Sequence, residues 1–302
     1  MKGKKIAIVG SGAIGLFYGA RLASAGCRVH FLMRSGFEAA TRGGIRIHSG
    51  EGPLHLENPA IAKSPAEIGA CDGVIVAVKS PSNDVLPVLL PPLLGDQTWI
   101  LTLQNGLGNE EFLAAHFGAD RILGGLCFVC LTRRNPVEVD HVGHGTLSIG
   151  EFQGPPRDRT RQLVQAFQDG GVETHLVESL AGERWRKLVW NIPFNGLCTV
   201  HRVGVDGVLG DPDLFRRCES LMEETRAIAA AEGHEIPHHY AAYQVERTRP
   251  MGAYRPSTLG DAEAGNPLEI DPIWGEPLRR ARRAGIETPH LAALCQQLNA
   301  LA

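Results

Sequence analysis

The segment Lys5–Gly26, KIAIVGSGAIGLFYGARLASAG, decides the fold. Its opening residues, KIAIVG, form a short apolar run with the character of a buried strand. Glycines follow at positions 10, 12 and 15 and fit the spacing G-x-G-x-x-G. The next stretch, AIGLFYGARLASAG, has helical periodicity, and Gly26 is placed to close that helix. Glycine is abundant here, 36 of 302 residues, so the spacing alone carries little weight. Its position between a strand and a helix, opening a β-α-β unit, gives it meaning. Gly10 allows the tight turn, Gly12 lets the backbone approach a pyrophosphate, and Gly15 permits close helix–strand packing. The helix start adds N–H groups and the positive end of a dipole. A dinucleotide-binding turn is the expectation.

Outward from this turn, RVHFLMR reads as a second strand, ending in Arg34. An NAD site usually has an acidic residue there to hold the ribose hydroxyls. A guanidinium suits a 2′-phosphate through bidentate, charge-assisted bonds, so NADP(H) is preferred to NAD(H). Lys79, after the strand-like run GVIVAV, lies at the same carboxyl-end edge and adds positive charge. GIRIHS and LHLEN suggest a small hairpin. Further strands and helices alternate through SPAEIGACDGVIVAVKS, PLLGDQTWILTLQNG, NEEFLAAHFG and RILGGLCFVCL. Apolar strands alternating with helices predict a parallel sheet covered on both faces.

The pattern changes near residue 180. LFRRCESLMEETRAIAAAEG and DPIWGEPLRRARRAG read as amphipathic helices closed by Gly233 and Gly285. The expected organisation is a Rossmann-like domain over residues 1–178 and an all-helical domain over residues 179–302. The expected fold class is α/β followed by all-α.

Composition narrows the function classes. Hydrophobic residues make up 43% and charged residues 21%, with a net charge of -3. That balance gives no reason to expect nucleic acid or a membrane surface as partner. No apolar run approaches the ~18 residues that span a bilayer. The N-terminus shows no cleavable leader, so a cytoplasmic protein is expected. Seven scattered cysteines suit free thiols in a reducing compartment. Cys127 and Cys130 have the C-x-x-C spacing, but on a strand they would face opposite ways. The histidines of HVGH and HEIPHHY have no ligand partners nearby and read as solvated loops. No metal site is expected.

The segment Arg184–Asn195, RWRKLVWNIPFN, is apolar except that Lys187, Asn191 and Asn195 recur every fourth residue. On a helix they form one polar line. TLQNGLGN places Gln104, Asn105 and Gly106 at the end of an apolar strand, the edge where α/β sheets bind ligands. A turn-forming Asn-Gly explains it equally well. PSTLGDAEAGNPLEIDPIWG carries Glu269 and Asp271 in the opening turn of the last helix, where the dipole favours carboxylates. Ser257 there fits a plain N-cap.

Together these segments resemble the ketopantoate reductase (2-dehydropantoate 2-reductase) family. IAIVGSGAIG, AVKS, LQNGLGNEE, HVGHGTLSIGE, RWRKLVWN and STLGDAEAGNPLEID carry the resemblance in order over nearly the whole chain. It implies an N-terminal Rossmann domain, a helical C-terminal domain and a substrate cleft between them. It implies hydride transfer from NADPH to the C2 ketone of 2-dehydropantoate, giving pantoate for vitamin B5 and coenzyme A synthesis. By motif, Lys187 matches the catalytic lysine, which bonds the ketone oxygen and supplies its proton. Glu269 matches the acidic residue that contacts substrate and helps position the lysine. Asn105 matches the asparagine near nicotinamide and substrate. Asn191 and Asn195 match amides holding the substrate's hydroxyl and carboxylate end, and Ser257 matches a serine bonding the carboxylate. Gly10, Ser11, Gly12, Ala13, Ile14, Gly15, Arg34 and Lys79 match cofactor positions.

Two departures stand out. Trp274, in PIWG, replaces an amide common in the family, and Pro193 sits between the two asparagines of the polar line. A proline there removes one helical hydrogen bond and crowds the Val189 carbonyl, which would move Asn195 relative to Lys187. Both changes bear on substrate rather than cofactor. The alternatives are a reductase of another 2-keto acid or ketone, an opine-type dehydrogenase, and a non-catalytic NADPH-binding sensor. KLVWN and LEID count against the second, and retention of Lys187, Asn191 and Glu269 counts against the third. The expected partner is a small 2-keto acid. The helical half could equally face solvent or a second copy, so a homodimer stays open.

Overall fold

Ile6 and Ile8 pack into one apolar cluster while Ala7 and Val9, between them, pack into another. Successive strand residues point to opposite faces, so both faces of this strand are buried. The chain, a computed structural model, is described over residues 1–301, the side chain of His144 excepted.

The strands are β1 (Lys5–Val9), β2 (Arg28–Leu32), β3 (Ile45–Ser49), β4 (Leu54–Leu56), β5 (Ala60–Ala62), β6 (Cys71–Val76), β7 (Leu94–Thr102), β8 (Ile122–Asn135), β9 (Glu138–Glu151) and β10 (Thr174–Leu176). They form one sheet in the order β4-β3-β9-β8-β7-β6-β1-β2-β5, with β10 beside β9. The strands from β5 to β8 run parallel. β2 and β5 lie on one side of β1, the chain visiting the far edge as β3 and β4 between them, and β6, β7 and β8 then build the other way. The switch point therefore falls between β1 and β6, where such sheets bind ligands.

The sheet is mixed rather than purely parallel. β8 and β9 form a long antiparallel hairpin, paired from Leu123↔Glu151 to Asn135↔Glu138. The expected hairpin of residues 45–56 is present as antiparallel β3 and β4. The HVGH histidines were expected in a solvated loop. They lie instead on β9. His141 is buried, shares a 2.9 Å hydrogen bond with Ser49 Oγ and packs against the Phe17 ring. The side chain of His144 lies outside the described residues.

The chain divides into two compact units. One comprises Met1–Gln104 and Asn109–Leu180, and the other Asn105–Gly108 and Ala181–Ala302. The second unit is helical. Its core gathers Trp185, Leu188, Ile192 and Phe194 with Leu221, Met222, Ile273, Trp274 and Leu294. Trp185 and Trp274 are both fully buried. Each side chain of that size contributes several kcal/mol, at about 25 cal/mol per Å² of apolar surface. Helix Pro212–Ala231 starts at Asp211, whose carboxylate accepts the N–H groups of Asp213 and Leu214. It ends before Gly233, which adopts the left-handed conformation with φ 81°.

The segment expected as the last helix is a π-helical turn, Asp271–Gly275, running into helix Glu276–Ala284. A further helix, Pro289–Asn299, follows it. Glu276 accepts from Arg279 Nε at 2.8 Å, Arg280 Nε at 2.9 Å and Arg283 at 3.1 Å. Burial pushes its carboxyl up, but the three guanidiniums outweigh this and hold it below the usual carboxylate range. All seven cysteines are free thiols. Burial pushes the Cys198 thiol up to about 12, so it stays neutral at physiological pH. Among the described residues no helix is long and apolar enough to cross a membrane.

Candidate active site

The glycine turn of the first unit has the conformation its sequence demands. Gly10 has φ 107°, a region that disfavours any side chain. A Cβ there would sit 2.4 Å from Val78 N and 2.5 Å from the Ala77 carbonyl carbon, just beyond β6. A Cβ on Gly15 would meet Gly10 O at 2.1 Å, so this glycine lets the helix lie against β1. Gly12 is different, because a Cβ there would meet nothing within 4 Å. Its surroundings are open, as close approach by a ligand requires. Gly12 is also the N-cap of helix Ala13–Ser24, and no side chain caps that end. The first-turn N–H groups of Ala13, Ile14 and Gly15 have no acceptor within the helix. Ser11 Oγ donates to Leu32 O at 2.9 Å and ties the turn to the end of β2.

Val9 pairs in register with Leu32 on one side and Val76 on the other. Arg34 and Lys79 follow those partners, so both cations emerge at the carboxyl edge beside the glycine turn. Both are exposed. Arg34 has no hydrogen bond or ion pair to another described residue. Open space over Gly12, an uncapped helix start and two cations at the switch point suit an anionic dinucleotide. Gln104 does something else. Its amide donates to Val78 O at 3.0 Å and Asn83 Oδ1 at 2.6 Å, bracing the same edge.

In the second unit, Lys187, Asn191 and Asn195 lie on helix Leu180–His201, which runs through Pro193 without a break. Residues four apart on a helix are neighbours on one face. Asn191 is only 7% exposed and has no side-chain hydrogen bond to a described residue. Asn195 is 3% exposed, and its Oδ1 accepts from Thr258 Oγ1 at 3.1 Å and Thr258 N at 3.4 Å. Neither residue is among those with a fully buried, unpartnered polar atom, so the unbonded amide atoms of both reach solvent, where a ligand can meet them.

Lys187 Nζ donates to Asn105 Oδ1 at 2.8 Å. The Asn105–Gly108 turn reaches this position because it packs with the helical unit. Leu107 is buried in that unit's core. Gly106 has φ 82°, and a Cβ on it would meet Pro272 O at 2.3 Å. Leu107 N–H donates to the same Pro272 carbonyl at 2.8 Å. The π turn makes that carbonyl available. Glu276 N–H reaches back five residues to Asp271 O. The matching partner for Pro272 would be residue 277, a proline with no N–H. Widened turns of this kind are frequent at functional sites.

Glu269 is half-buried and stands in the loop just before the π turn, not inside the helix. Asp271, exposed, forms a bidentate pair with Arg279 at 2.6 and 2.9 Å. Ser257 is not an N-cap. Pro256 holds that position, and Ser257 is the first helical residue, with an exposed side chain. Trp274 was expected to bear on substrate. It is a core residue, fully buried, with its indole N–H on Ile192 O at 3.0 Å. Gly196 gives it room, since a Cβ there would lie 3.0 Å from Trp274 Nε1. Three residues escape a reading by motif: Thr258, Leu107 and Pro277. Only Pro277 leaves a signal in sequence, a proline five residues after Pro272.

Comparison with known proteins follows the same two-part division. The family model described as "Ketopantoate reductase PanE/ApbA" matches residues 6–154, and "Ketopantoate reductase PanE/ApbA C terminal" matches residues 179–302. A 2-dehydropantoate 2-reductase of Nostoc sp. is 37% identical over 100% of this chain and 96% of its own. The crystal structure of a 2-dehydropantoate 2-reductase from Geobacter metallireducens GS-15 superposes with a TM-score of 0.96 at 41% identity, covering 99% of this chain and 100% of that one. The corresponding structure from Methylococcus capsulatus gives a TM-score of 0.92 at 33% identity, covering 98% and 96%.

Proposed function

Because the chain belongs to the ketopantoate reductase family, an oxidoreductase family, we propose that it reduces 2-dehydropantoate to pantoate with NADPH, a step of pantothenate and coenzyme A synthesis. The observation that carries this reading is the Lys187–Asn105 hydrogen bond, with two buried amides on the same helix face.

Bound NADPH supplies the hydride that becomes the new C2 hydrogen. As the ketone carbon receives it, negative charge develops on the oxygen and must be met. Lys187 donates a hydrogen bond to that oxygen and then its proton, leaving an alcohol and a neutral amine. An ammonium has three donors, so the bond to Asn105 is compatible with this second one. Asn105 fixes the direction of the Lys187 head group. Glu269, in the adjoining loop, contacts substrate and helps position the lysine. Asn195 presents its NH2 group, because Thr258 already occupies Oδ1. With Asn191 and the Ser257 hydroxyl it holds the hydroxyl and carboxylate of the keto acid. In the first unit, Gly10, Ser11, Gly12, Ala13, Ile14 and Gly15 cradle the pyrophosphate, and Arg34 and Lys79 meet the 2′-phosphate.

NADPH oxidation measured across 2-dehydropantoate, 2-ketoisovalerate and oxaloacetate tests the substrate. The highest kcat/KM falls on 2-dehydropantoate, and on NADPH rather than NADH. A preference for either of the other acids would assign the chain a different substrate within the same reaction type.

A further inference from the structure

We propose that Thr258 is a positioning residue that determines substrate specificity by fixing the orientation of the Asn195 amide. The inference deepens the proposed reduction and rests on it. A main-chain N–H can only donate, so the Asn195 atom facing Thr258 N must be oxygen. The Thr258 hydroxyl donates to the same atom at 3.1 Å. The amide is therefore held one way round, with Nδ2 on the side away from Thr258. Nδ2 has no acceptor among the described residues, although Asn195 is 3% exposed.

A flip of the amide would turn Oδ1 outward, set its NH2 group against the Thr258 N–H, and force the Thr258 hydroxyl to turn from donor to acceptor. In that state the site would repel an oxyanion. As built, Asn195 offers a donor and takes an acceptor-rich group, such as a carboxylate or hydroxyl oxygen. Asn191, one turn earlier, has no fixing partner of this kind among the described residues. Thr258 acts through Asn195 and does not itself touch substrate.

The same bonds also satisfy the first-turn N–H of helix Ser257–Glu263, a purely structural role. The test separates the two roles. Thr258→Val keeps the shape and removes the hydroxyl donor. It should raise KM for the keto acid about three- to ten-fold, the worth of one neutral hydrogen bond. kcat, the Kd for NADPH and Tm should stay near wild type, and Thr258→Ser should restore KM. A wild-type KM in Thr258→Val would overturn the inference, as would an equal rise in Thr258→Ser. If wild-type protein reduces no 2-keto acid, the proposed reduction fails instead. The orientation is then read from the Asn195 side-chain NH2 resonances of 15N-labelled protein. They should shift in Thr258→Val and return in Thr258→Ser, and unchanged resonances in Thr258→Val overturn the inference.

Discussion

Lys187 Nζ donates to Asn105 Oδ1 at 2.8 Å across 82 positions of sequence. The bond joins a residue on the long helix to a four-residue turn that leaves the sheet unit and packs with the helices. Removing the acceptor should leave the fold intact and loosen the lysine. Asn105→Ala is expected to lower kcat roughly ten- to hundred-fold, because small losses of alignment are costly in rate. Steady-state kinetics beside a Tm measurement checks this. Unchanged kcat would show that the lysine is held by other means.

Pro277 should act at a distance on the same turn. Pro277→Ala gives residue 277 an N–H that can compete for the Pro272 carbonyl, now bonded to Leu107 N–H at 2.8 Å. Hydrogen exchange at the Leu107 amide should then quicken, by about ten-fold for each ~1.4 kcal/mol lost. Protection equal to wild type would mean that the Leu107 bond does not depend on the proline.

Arg34 follows β2 with no partner among the described residues. Arg34→Ala should raise KM for NADPH about ten- to hundred-fold, the scale of one or two charge-assisted hydrogen bonds, and leave KM for NADH nearly unchanged. Parallel losses with both nucleotides would remove Arg34 from 2′-phosphate recognition.

Glu276 makes stability depend on acid. Its carboxyl is held below the usual range by three arginines, so the folded state binds this proton less readily than the unfolded chain. The stabilisation is therefore complete above the unfolded value, about 4.3, and is lost as pH falls through the lower folded value. Glu276→Gln should lose about 2 kcal/mol at neutral pH and show a shallower decline of stability below about pH 4. Urea unfolding at a series of pH values measures both. An identical acid limb in the two proteins would contradict the linkage.

The sequence carries some of this directly. Gly10, Gly12 and Gly15 are legible because their constraints are local: a positive φ, a close contact and an open approach, all within six residues. The line of Lys187, Asn191 and Asn195 is legible because helical spacing alone puts them on one face. β9 is not, since glycines and histidines interrupt its alternation and its antiparallel partner is fixed only by pairing with β8. The membership of Asn105 in the helical unit is equally hidden. It depends on Leu107 entering a core built from residues 181–302 and on a carbonyl made available by Pro277. Trp274 shows the opposite failure. Position within a motif suggested a substrate contact, whereas Gly196 and the Ile192 carbonyl make room for it in the core.

The central claim is that Lys187 is the proton donor to a substrate ketone. The most direct measurement is the single-turnover rate of NADPH oxidation on mixing enzyme, NADPH and 2-dehydropantoate, in wild type and in Lys187→Ala. The account predicts a rate lower by a factor on the order of 10²–10⁴ in the variant, with the Kd for NADPH unchanged. A variant rate near that of wild type would contradict it.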